Sequence, residues 1–172
     1  MMKHPIEKVL YSVADEVLGK LAFIFSFPEH ERAPMNTADA VAASVSFKGP
    51  FDGNLTMFIS GAVLPELTGN MLGVDDASTT EAQQFDALRE LINVICGNLL
   101  PRIAGKRSVF NVSSPRIISR KPGSPESYDE ESLISMARLT LEEGECDLCL
   151  FVRGRLPDGA IVIREAENSN GQ

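Results

Sequence analysis

Near the start of the chain, apolar residues return at intervals of three and four: Ile6, Val9, Leu10, Val13, Val17 and Leu21, with Glu7, Lys8, Asp15 and Glu16 between them. That period marks one face of a helix, and Pro5 suits its first turn, where no partner waits for the missing N–H. A polar connection over 28–39 follows. The period then falls to two. Residues 41–47 (VAASVSF) and 54–60 (NLTMFIS) alternate as strands, and the intervening KGPFDG carries turn chemistry, so the pair reads as a β-hairpin. Residues 61–73 (GAVLPELTGNMLG) read as a short helix that starts near Leu64, keeps Pro65 in its first turn and ends at Gly73.

The longest helical pattern spans about 80–103. Thr79 or Thr80 can cap it, Glu81 favours the positive end of the helix dipole, and Pro101 and Gly105 lie at its close. The remainder reads mostly as strand. Residues 108–119 hold two short extended runs around Pro115, and 121–132 (KPGSPESYDEES) form an exposed acidic loop. Residues 133–142 and 146–154 make two strands joined by a tight connection, and 160–163 (AIVI) a last edge strand. The tail over 164–172 should fray. This order predicts a single α+β domain of two layers, with helices packed on one face of a mainly antiparallel sheet.

Composition then removes whole classes of function. A chain of 172 residues can bury a real core. Its net charge of −8 disfavours both nucleic-acid phosphates and anionic membrane surfaces as partners. No apolar run reaches the ~18 residues of a membrane span; the closest, 17–27, is broken by Lys20. With no signal-peptide pattern at the N-terminus, a cytoplasmic location is expected. Three cysteines, an odd number, fit free thiols in a reducing compartment. Cys146 and Cys149 form a C-x-x-C, but an offset of three in a strand sends the side chains to opposite faces, so buried thiols are expected and no metal site. The two histidines, His4 and His30, both lie near the N-terminus and give little to a Ser-His or Cys-His mechanism. There is no phosphate-binding glycine loop and no H-E-x-x-H.

The long helix carries one anomaly. Asp86, Glu90, Asn93 and Gly97 follow one another by four, three and four. At about 100° per residue they share a stripe roughly 60° wide, opposite Leu88, Leu91, Ile92, Ile95 and Leu99. Two like charges one turn apart, an asparagine and a mid-helix glycine each disfavour the helix. By itself the stripe is also compatible with an ordinary solvated face, and an E-x-x-N recurs in the tail as Glu165 and Asn168 without an amphipathic helix around it.

DALRELIN (86–93), read as D-x-x-x-E-x-x-N, resembles the signature helix of the CheC/CheX/FliY chemotaxis phosphatases, whose motif is completed by a proline at the start of a following strand. Pro115 follows Asn93 by 22 positions, close to the family's interval. The hairpin and short helix upstream resemble the family as well, so that the likeness covers residues 41–119. A single motif in a helix favours CheX over CheC.

The resemblance implies hydrolysis of the aspartyl phosphate on a CheY-like response-regulator receiver domain. Glu90 and Asn93 would be the catalytic pair, Asn93 orienting the attacking water and Glu90 pairing with the receiver's lysine. Asp86, Gly97 and Pro115 would touch the partner: Asp86 at the stripe's outer edge, through capping or partner contacts, and Gly97 by leaving clearance for the phosphorylated loop. No cofactor of its own is implied, with Mg²⁺ expected on the receiver. The family also implies a homodimer built through sheet edges, for which 133–142 or 146–153 are the candidate strands. The alternatives are a scaffold that binds a receiver without catalysis, or a module that sequesters phosphorylated regulators.

Overall fold

The structure, a computed structural model, describes residues 5–27, 39–118 and 133–156. The acidic loop at 121–132, the strand expected at 160–163, the tail and its Glu165/Asn168 pair lie outside them. Helix α1 spans Pro5–Ala22, and the hairpin forms from β1 (Ala40–Lys48) and β2 (Asp52–Ser60). A 3-10 turn at Gly61–Val63 leads into α2 (Leu64–Leu72), and a second at Asp76–Ser78 leads into α3 (Glu81–Ala104). Strands β3 (Asn111–Val112) and β4 (Arg116–Ile118) flank Pro115, and β5 (Leu133–Thr140) and β6 (Glu145–Arg153) follow.

All pairings among the described strands are antiparallel, in the order β3-β1-β2-β6-β5, with β4 sharing the edge of β1 that β3 takes. The expected hairpin is present with a tighter turn than its sequence implied. Phe51, placed in that turn by pattern, is buried, and packs edge-on against Phe47 and Phe110 at 5.4 and 5.2 Å between ring centres. Aromatic burial has drawn the turn into the core.

One expectation needs correcting. Residues 146–153 belong to β6, which lies between β2 and β5 and offers no edge. Every residue from Cys146 to Val152 is buried, as a strand with neighbours on both sides requires. The outer strand on that side is β5, exposed through its first half.

The main core takes one parity of the sheet: Ala43, Val45 and Phe47 from β1, Leu55, Met57 and Ile59 from β2, and Cys146, Leu148, Leu150 and Val152 from β6. Onto that face α1 packs over β5 and β6, and α3 over β1, β2 and β4, while α2 packs chiefly on α1 and α3. Each large aliphatic side chain so buried contributes about 1.5–3 kcal/mol. On the other parity Arg138 grips Asp147, its direct cross-strand partner, with two hydrogen bonds of 2.6 and 2.7 Å. This bidentate pair fixes the register of β5 on β6. The hydrogen-bonded carboxylate also holds the Arg138 charge more firmly than usual.

Candidate functional site: the outer face of helix α3

Helix α3 begins with a reciprocal cap. Thr80 accepts from the Gln83 N–H at 3.2 Å, and the Gln83 side chain accepts from the Thr80 N–H at 3.0 Å. Two of the helix's otherwise unpaired N–H groups are thereby satisfied. The cap fixes where the helix starts, and the apolar side fixes its rotation: Leu88, Leu91, Ile92, Ile95 and Leu99 are all fully buried. Asp86, Glu90, Asn93 and Gly97 must then face outward, and all four are exposed. The line seen in the sequence is a line on the surface.

Its members differ in how they are engaged. The Asp86 carboxylate accepts from Arg89, one turn on, at 2.5 Å. It takes no part in the cap, which Thr80 and Gln83 complete without it. Among the described residues, Glu90 and Asn93 have no hydrogen-bond or ion-pair partner. A Cβ added at Gly97 would meet nothing within 4 Å, so no part of the described chain demands glycine there by close approach. Pro101 lacks the N–H that would otherwise bond the Gly97 carbonyl four residues back. Pro115 immediately precedes β4, the strand that α3 packs against, and is partly buried. Among the described residues no hydrogen bond or ion pair joins it to the four stripe residues.

A shallow groove that the sequence pattern did not reveal runs beside the stripe. Met71 and Leu72 from α2 face Gln83, Asp86, Ala87 and Glu90 from α3 across a hollow of about 290 Å³. It forms only where two helices meet, so no pattern within either one signals it.

The three thiols stand apart from this surface. Cys96, Cys146 and Cys149 are free and buried. Burial pushes Cys96 and Cys149 up to about 12, and Cys146 upward as well. Cys146 joins the helix-facing core while Cys149 lies opposite Thr56 on the other parity, as their spacing predicted. Protonated at neutral pH, none is a ready nucleophile. Among the described residues no group of three or more His, Cys, Asp or Glu is placed to hold a metal, and no helix is long and apolar enough to cross a membrane.

Fold and face together define a class: an α+β domain whose candidate polar residues sit on an open helix, with no enclosing pocket of their own. The family model for the chemotaxis phosphatase CheX matches residues 41–136, more than half the chain, from β1 into β5, and the protein belongs to that family. Among solved structures it is similar to CheX from Vibrio vulnificus, at 17% identity and a TM-score of 0.67, covering 88% of this chain and 100% of that one. CheX from Desulfovibrio desulfuricans is also similar, at 17% identity and 0.63, covering 86% and 99%. A third is the Borrelia burgdorferi CheX–CheY–BeF3–Mg²⁺ complex, at 16% identity and 0.60, covering 86% and 97%. These likenesses establish the fold. Among curated proteins none matches the chain.

Proposed function

We propose that this protein removes the phosphoryl group from the aspartyl phosphate of a CheY-like receiver domain, with Asn93 orienting the water and Glu90 pairing with a receiver lysine. The observation that carries the reading is the unpartnered, exposed pair Glu90 and Asn93, one turn apart on a rigidly capped helix. Family membership and the likeness to a CheX solved with CheY support it.

The chemistry asks little of such a helix. An acyl phosphate is already activated. Water attacks phosphorus in line, the P–O bond to the receiver aspartate breaks, and the water's proton leaves to solvent or phosphate. Inorganic phosphate and a free aspartate result. Neutralisation of the phosphoryl charge is left to the Mg²⁺ and lysine expected on the receiver. The Asn93 carboxamide can accept from the water through Oδ1 and donate to an acceptor through Nδ2, without any ionisation of its own. The Glu90 carboxylate sets the orientation of docking more than its strength. Gly97 leaves room for an approaching loop. The same reading implies a cytoplasmic location.

The test follows phosphate loss from phosphorylated receivers of the same genome, with the wild-type chain and with Asn93→Ala. Acceleration by wild type that the variant loses while still binding supports the reading. Binding without acceleration replaces it with a scaffold or sequestering module, and no acceleration of any receiver removes it.

A homodimer through β5 belongs to the same reading. Among the described residues β5 pairs on one side only, apart from a single bridge between Phe27 and Thr140. Leu133, Ile134 and Met136 are exposed along it. An open apolar edge of this kind invites a second strand. Met136→Lys should shift the chain towards monomer by light scattering; an unchanged dimer would place the contact elsewhere.

A further inference from the structure

We infer that the groove between α2 and α3 is a second docking element for the receiver, taking an apolar side chain that lies next to a basic one on the partner. The inference rests on the receiver-directed reading above and deepens it. Continuity is its first support. Asp86 and Glu90 belong to the stripe and also form one wall of the groove, so a partner seated over Glu90 and Asn93 also covers the hollow.

The apolar character of the other wall has a local cause. Helix α2 ends with Gly73 in the left-handed conformation at φ 69°, and the Val74 N–H donates to the Gly69 carbonyl at 3.0 Å. In such a helix end, the residue after the glycine ordinarily closes on a side chain of the last turn. Here that position is Gly69, and the space beside it is taken by Asp76. Val74 is left 45% exposed and Leu72 52%. These two stand at the groove and beside it with no described partner to cover them. The exposure of Val74 therefore follows from glycine at 69, which offers it no side chain to close on.

Charge then narrows the occupant. Arg89 already offsets Asp86, so the unpaired negative group on the rim is the Glu90 carboxylate. Ala87 is buried and small, forming a floor on which an aliphatic or aromatic side chain can rest. An apolar residue standing beside the receiver lysine fits this combination, because that lysine meets Glu90 as in the proposed function while its neighbour leaves water. The groove thus contributes affinity and partner choice, while Asn93 contributes turnover.

The experiment measures dephosphorylation of a phosphorylated CheY-like receiver of the same genome against receiver concentration. It compares wild type, Leu72→Asn, Val74→Thr, Leu72→Met and Asn93→Ala. Leu72→Asn should raise KM about 10-fold or more with kcat within about twofold, Val74→Thr should raise it less, and Leu72→Met should restore it. Asn93→Ala should lower kcat with KM kept. Val109→Asp, which alters another exposed apolar side chain away from the groove, should change neither. An unchanged KM in Leu72→Asn with kcat still dependent on Asn93 would overturn the groove and leave the phosphatase reading intact. Failure of the wild-type chain to act on any receiver would overturn both.

Discussion

Leu91 and Asn93 stand two residues apart on α3 and answer to different surroundings. Leu91 is fully buried against the sheet, and its identity is explained by the volume it fills. Asn93 is exposed, unpartnered and a middling helix former, and nothing within the described chain explains it. The same contrast runs the length of the helix. One side is composed for this chain, and in the proposed reading the other is composed for a partner. Stability and activity should therefore separate cleanly between the two sides.

The largest effect expected is on the inner side. Leu91→Ala should cost about 2–5 kcal/mol in urea unfolding, through lost contacts and the cavity left behind. Asn93→Ala should move stability by no more than about 0.5 kcal/mol. The same variant should slow receiver dephosphorylation by about 100-fold, the scale set by losing control of a reactant's position. If Asn93→Ala unfolded the protein as readily as Leu91→Ala, the contrast between the faces would be gone.

The inner side should also show itself through pH. Folded Cys96 keeps its proton to about 12 because of burial, whereas an unfolded thiol releases it near about 8.5. Between those values the unfolded state binds fewer protons, so stability falls as pH rises. The contribution is intact below the lower value. The slope reaches up to about 1.4 kcal/mol per pH unit for each such thiol. Cys96→Ala should make the alkaline slope of urea-unfolding stability shallower, while Asn93→Ala should leave it as it was.

The smallest effect sharpens the contrast most. Gly97→Ala should stabilise the helix by about 0.5–1 kcal/mol, since the added methyl meets no described atom. It should also slow receiver turnover if a partner loop passes over that position. A more stable and equally active variant would remove Gly97 from the docking surface.

Much of this was legible in the chain because local rules set it. The Thr80 cap, the start of α2 at Leu64 and the stripe on α3 each depend on residues within a turn or two, and periodicity reports them directly. The position of β6 was less legible. Its continuous burial hints at an interior strand, while the first half of β5 alternates little and stays exposed, yet which strand neighbours which depends on pairing across 85 or more residues of chain, as between Ser60 and Glu145. The groove was hidden for the same reason. It exists only where the end of α2 meets the first three turns of α3, and neither helix shows it alone.

Pro101 has a mechanical meaning beyond ending a pattern. With no rung between it and Gly97, α3 divides into a long stiff rod that bears the stripe and a final turn whose Arg102 is tied to Glu16 of α1 at 2.7 Å. Helix α3 also packs directly on α1, so the helix that bears the stripe is braced against α1 as well as against the sheet.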